Sequence, residues 1–114
     1  MASGTRGLWP LFCVACCGVA LASSSATAAG NPRAEAGAAI YEQRCSSCHG
    51  EGLNNVSGGW SFDLRKLRPD EHARFIDSVT TGKDNMPSWY GILSDEEMES
   101  IWLYIRATVD KPRP

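Results

Sequence analysis

Two thiols three residues apart, with an imidazole directly after the second, occur at Cys45-Ser46-Ser47-Cys48-His49. On roughly one helical turn, sulfurs at that spacing reach the two vinyl groups on one porphyrin edge while the histidine points at the iron, so the stretch matches an attachment site for c-type haem. In that chemistry Cys45 and Cys48 hold the cofactor and His49 ligates the metal. A Cys-x-x-Cys pair also serves as a redox disulfide, but that use belongs to a thioredoxin-like βαβ setting, and no alternating β-branched run surrounds Cys45. A structural zinc site needs four ligands. Past residue 17 the chain offers only Cys45, Cys48, His49 and His72, and His49 is poorly spaced beside Cys48.

An iron ligated by His49 needs a group on its sixth side. Met86, Met98 and His72 are the available side chains. Met98 falls in an amphipathic helical pattern, the ordinary place of a core methionine. His72 reads as a partly exposed helix residue. Met86 lies in a loop bounded by Gly82 and Pro87, where the backbone can be shaped to deliver a thioether to a metal, and it is the expected ligand.

The elements that must position these groups fit in one small domain. The chain has 114 residues and a formal charge of −2 with no basic run, which argues against a nucleic-acid partner. Residues 1–28 read as a cleaved export signal: Arg6 gives a sparse positive start, Leu8 to Leu21 the apolar core, and Ala26-Thr27-Ala28 a small-x-small cleavage site. Cys13, Cys16 and Cys17 sit inside that apolar run. An alanine lies just upstream of Cys16 and Cys17, a partial match to a lipid-anchor site that lacks the leucine three positions earlier, and the use of such an anchor stays open. Cleavage near Ala28 leaves residues 29–114 as a single domain with a formal charge of −3, since Arg6 is the only charged residue removed. A chain that small buries a modest share of its surface, so an apolar macrocycle would complete its core and the apoprotein would fold poorly. Export agrees with haem attachment, because thioethers form from reduced cysteines outside the cytoplasm.

Three main helices are expected. Arg33 to Arg44 has high helix propensity, with Pro32 near its start and Gly37, Ile40, Tyr41 and Arg44 on one face. Gly37 costs about 1 kcal/mol in a helix interior and marks a place where another helix comes close. Gly50 to Gly59 reads as a loop, followed by an extended, haem-covering segment with Trp60, Phe62, Leu64 and Leu67. Pro69-Asp70-Glu71 starts a second helix carrying Phe75, Ile76 and Val79, which Thr80-Thr81-Gly82 ends. Ser94 to Glu97 is a capping box opening the last helix, from Asp95 to about Thr108, with Met98, Ile101, Trp102 and Ile105 on its apolar face. Asp110 to Pro114 is a polar tail expected to fray.

Cys45-Ser46-Ser47-Cys48-His49 at the end of a first helix, Gly82…Met86-Pro87 before a last one, and Gly37, Tyr41, Ile101 and Tyr104 at helix-contact positions together resemble a class I cytochrome c. The likeness runs over about residues 33 to 108. It implies an all-α fold of three main helices with haem-covering loops around one covalent haem c, the first and last helices crossing where Gly37 lets Tyr41 and Tyr104 approach. It also implies Cys45 and Cys48 as thioether sites, His49 as proximal ligand and Met86 as distal ligand. In that family a proline carbonyl after the haem motif commonly accepts the second N–H of the proximal histidine. No proline occurs between His49 and Pro69, so another carbonyl must serve.

A His/Met iron is six-coordinate, favours the ferrous state and leaves no position for O₂ or peroxide, which points to electron transfer rather than catalysis. Trp60 to Leu67 and Met86-Pro87-Ser88-Trp89 are similar to small periplasmic cytochromes that accept electrons from quinoprotein alcohol dehydrogenases. That likeness implies such a donor, an oxidase as acceptor, and a monomeric periplasmic carrier. Trp60 and Phe62 are expected to pack in the haem pocket. Arg65 is either a propionate partner or a solvated cation, and Asp95, Glu96, Glu97 and Glu99 either steer a basic partner or are ordinary first-turn acids. The competing functions are a haem-based sensor or peroxidase-like enzyme with a displaceable sixth ligand, and a cytochrome subunit of a membrane respiratory complex.

Overall fold

A computed structural model describes residues 30–111, together with Gly4 and Gly7. The export-signal reading of residues 1–28, including Cys13, Cys16 and Cys17, falls almost wholly outside the described residues. The described part is helical, and its only ladder contact is an isolated bridge between Lys83 and Met86. Helix α1 spans Pro32–Arg44, α2 Ser46–His49, α3 His72–Thr81 and α4 Asp95–Val109. The three long helices are the expected ones.

Helix α1 begins at Asn31, whose side chain accepts the Arg33 amide, with Pro32 at the first position where a missing N–H costs nothing. It buries Ala34, Gly37 and Tyr41 against α4. A Cβ built on Gly37 would lie 1.8 Å from the Ser100 carbonyl oxygen of α4, so only glycine permits this approach. Tyr41 and Tyr104 meet beside the crossing with ring centroids 5.2 Å apart. At the start of α4 the capping box forms as expected: Ser94 Oγ accepts the Glu97 amide at 3.2 Å and Glu97 Oε2 accepts the Ser94 amide at 2.8 Å.

The core joins Tyr41, Leu53, Leu67, Phe75, Val79, Leu93, Met98, Ile101, Trp102 and Ile105. Leu53 is fully buried although its φ is +67°, in the left-handed region that a leucine rarely adopts. It ends a 3₁₀ turn over Glu51–Leu53 within what the sequence reads as plain loop. A 3₁₀ turn over Leu64–Lys66 breaks up the segment expected to be extended, and Pro69–Glu71, expected as the start of the second helix, forms a 3₁₀ turn leading directly into α3. Arg106 of α4 ties that segment down, donating to the Leu67 carbonyl at 2.6 Å with its guanidinium over the Trp102 ring.

Replacing Gly37 with alanine forces α1 off α4. We expect Gly37→Ala to cost about 3 kcal/mol or more in denaturant unfolding of the haem-loaded protein. An unchanged midpoint would show that the helices do not meet as closely as described.

Candidate haem site

Helix α1 runs into α2 with a break at one residue. Cys45 caps both, and its amide still bonds to the Tyr41 carbonyl at 2.8 Å. The Tyr41 hydroxyl then reaches across to the Gly50 carbonyl at 2.7 Å, which fixes the far end of α2 relative to α1. Burial pushes the Tyr41 phenol well above its usual range, so it remains a donor. Gly50 adopts φ +89°, and a Cβ there would lie 2.0 Å from the Asn54 carbonyl oxygen. The chain therefore leaves the Cys-x-x-Cys-His turn along one path.

His49 is held from its Nδ1 side, 2.9 Å from the carbonyl oxygen of Phe62. A carbonyl only accepts, so Nδ1 carries the proton and Nε2 keeps its lone pair for a metal. Phe62 thus fills the place that the family's proline carbonyl implies. The loop presenting it is built from short polar side chains. Ser61 Oγ donates to the Cys48 carbonyl at 2.6 Å, Asn55 Nδ2 donates to Ser61 O at 3.1 Å, and Asn55 Oδ1 accepts the Ser57 amide at 2.9 Å.

On the other side, Met86 belongs to a tight turn in which Lys83 and Met86 exchange backbone hydrogen bonds of 2.8 and 3.1 Å. Asp84 takes φ +50° inside it, a conformation that aspartate tolerates better than most side chains. The turn is tied to the end of α3, whose last carbonyls have no partner within the helix. Ser78 O accepts the Gly82 amide at 2.9 Å, Val79 O the Trp89 amide at 2.9 Å, and Thr80 O the Ser88 hydroxyl at 2.6 Å. Gly82 has φ +77°, and a Cβ there would lie 2.7 Å from the Met86 carbonyl oxygen. Met86 is thereby placed by the capping of α3.

Both sets of residues face one cleft of about 550 Å³, lined by Cys45, Cys48, His49 and Met86 and walled by Trp60, Phe62, Leu64, Leu67, Phe75, Val79, Trp89 and Ile101. Neither cysteine is in a disulfide, Cys45 being half-buried and Cys48 exposed. Burial, then the neighbouring Cys48 and Glu42, push the Cys45 thiol up to about 11, the opposite of the depressed value of a redox-active thiol. Among the described residues no three His, Cys, Asp or Glu side chains cluster as a metal site would require, which also disfavours zinc. Two free thiols at the edge, an imidazole with one nitrogen already committed, a thioether and apolar walls suit a single haem. His72 and Met98 do not line this cleft. His72 Nε2 sits 2.8 Å from Glu99 Oε1 without a hydrogen bond to it, and the His72 and Trp102 rings meet in a T-shaped pair with centroids 5.1 Å apart. Met98 is buried in the core and accepts the Thr80 hydroxyl at 3.6 Å. Arg65 is paired with Asp63 through contacts of 2.9 Å, and this pairing holds the Asp63 carboxyl below the usual range. With its side chain about half exposed, Arg65 is a solvent-facing cation paired to Asp63.

Comparison with known proteins finds similar chains. A family model described as "Cytochrome C oxidase, cbb3-type, subunit III" matches residues 32–105. The chain is 35% identical to cytochrome c6 of Microcystis aeruginosa over 66% of this chain and 96% of that protein. It is 30% identical to cytochrome c6 of Leptolyngbya boryana over 68% of this chain and 95% of the relative. It is also 41% identical over 73 residues to quinohemoprotein alcohol dehydrogenase ADH-IIG of Pseudomonas putida, which covers 62% of this chain and only 10% of that much longer enzyme. No solved structure matches.

Gly82→Ala should push the Met86 turn away from α3. We expect the Met86 and Trp89 amides to lose protection against hydrogen exchange at least tenfold while the amides of α1 and α4 keep theirs, as for a localised opening costing roughly 1.4 kcal/mol or more. Equal protection in the variant would mean that the turn is not anchored as described.

Proposed function

Because the chain belongs to the class I cytochromes c, small electron carriers with covalently attached haem c, we propose that it shuttles single electrons through one haem bound to Cys45 and Cys48 and ligated by His49 and Met86. The observation that carries this reading is that His49 and Met86 line the same cleft, each fixed by backbone hydrogen bonds rather than left on a free side chain. The bound haem supplies a one-electron iron couple. The chain would do the rest: His49 would offer Nε2 because Phe62 occupies Nδ1, Met86 would offer a soft sulfur that favours the ferrous state, and the apolar walls would limit solvent rearrangement between oxidation states. With His49 and Met86 both committed to holding the haem, no position would be left in the cleft for a substrate to be activated.

We further propose that residues 1–28 are a cleaved signal peptide and that residues 29–114 act as a single-domain, monomeric carrier in the periplasm. Among the described residues no helix is long and apolar enough to cross a membrane. Likeness to two relatives named as quinohemoprotein alcohol dehydrogenases supports a quinoprotein dehydrogenase as electron donor. A terminal oxidase is the proposed acceptor, a role with which the oxidase-subunit description of the family model agrees.

One mixing experiment tests carrier and donor together. Oxidised protein is combined anaerobically with a quinoprotein alcohol dehydrogenase, an alcohol and carbon monoxide. We expect a reduced, low-spin spectrum with no carbon monoxide complex. Rapid formation of that complex would favour a sensor or peroxidase-like site, and absence of reduction would remove the dehydrogenase as donor.

A further inference from the structure

The hydrogen bond to His49 ends on a carbonyl in a stretch without proline, so nothing in the local covalent geometry presets its direction. One side of that stretch is pinned by Ser61, which donates to the Cys48 carbonyl. The other side is pinned by α3. The Arg74 guanidinium lies over the Phe62 ring, 5.0 Å from its centroid, and is held there by Glu71 at 2.7 Å. Glu71 is itself fixed, because its second oxygen accepts the Arg68 amide at 2.8 Å and its side chain is only 15% exposed. Just beyond, Asp63 caps the Leu64–Lys66 turn and pairs with Arg65, so the peptide that follows Phe62 is restrained as well. We propose that Arg74 is a positioning residue for the haem iron: stacked on Phe62 and braced by Glu71, it holds the Phe62 carbonyl on the His49 Nδ1–H.

This inference rests on His49 being the proximal ligand, and its consequence is electronic. An imidazole that donates its second N–H to a carbonyl is a stronger ligand and favours ferric iron. Slackening the bond weakens the ligand and raises the reduction potential. Loss of a nearby positive charge acts in the opposite direction, since ferric iron carries one more positive charge than ferrous. Arg74→Lys separates the two effects: the charge stays, while the flat fork that both stacks on Phe62 and grips Glu71 is lost. Phe62→Leu provides a second probe, keeping the carbonyl and removing the ring.

The test is proton exchange of the His49 Nδ1–H, followed by NMR in the reduced haem-loaded protein, with the Ile105 amide in the α4 core as internal reference. We expect Nδ1–H exchange to accelerate roughly two- to fivefold in both variants, the ratio given by losing an exposed cation–π contact of about 0.5–1 kcal/mol. The Ile105 amide should be unchanged and the potential of Arg74→Lys should rise. Unchanged Nδ1–H exchange, or acceleration in step with Ile105 as general destabilisation would give, overturns the clamp. A haem-loaded wild type in which the His49 ring protons show no shift from the haem, so that His49 is not its ligand, overturns the ligand reading instead, and the clamp with it.

Discussion

The close crossing of α1 and α4 is the constraint on which the rest depends. With hydrogen alone on the Gly37 α-carbon, the α1 backbone comes to rest on the Ser100 carbonyl, and the Tyr41 and Tyr104 rings pack beside the contact. Because α1 passes into α2 with a break at a single residue, that contact also sets where Cys45, Cys48 and His49 lie. Tyr41 carries the constraint further: its ring belongs to the crossing and its hydroxyl holds Gly50, so one side chain joins the helix pair to the exit of the haem-binding turn.

Helix α3 is the second frame, and it serves both faces of the cleft. Its C-terminal carbonyls, which any helix leaves unpaired, are taken up by Gly82, Ser88 and Trp89, and this capping draws the Met86 turn into place. Its first turn carries Arg74 over Phe62, whose carbonyl holds His49. The His49 and Met86 sides of the cleft are thus both referred to one helix of ten residues. Such an arrangement suits a carrier, whose two oxidation states should differ little in structure so that each electron transfer requires little rearrangement.

Where chemistry is encoded in local spacing, it was legible in the chain. The Cys45–His49 turn, the Ser94/Glu97 capping box and the apolar stripe of α4 each depend on residues close together in sequence, whereas Gly37 stood out only as a glycine inside a helix, its contact with Ser100 lying far along the chain. Met98 could be set in the core from its helical register alone. The acceptor for His49 could not be read, because a backbone carbonyl has no residue-type signature, and Phe62 stands thirteen residues away. The Asp63 partner of Arg65 was not read either, because a pair two residues apart in a loop follows no helical or strand spacing. Leu53 was hidden because a Gly- and Asn-rich stretch hides the one apolar residue that the core reaches out to bury, in a backbone conformation disfavoured for leucine.

The central claim is that this cleft holds iron between His49 and Met86, and the optical spectrum addresses it most directly. Protein matured in a host that attaches haem c should be low-spin, and its oxidised form should show the weak near-red sulfur-to-iron band, absent from a Met86→Ala variant prepared in the same way. A high-spin wild type, or a variant whose spectrum matches the wild type, would contradict the His49/Met86 site.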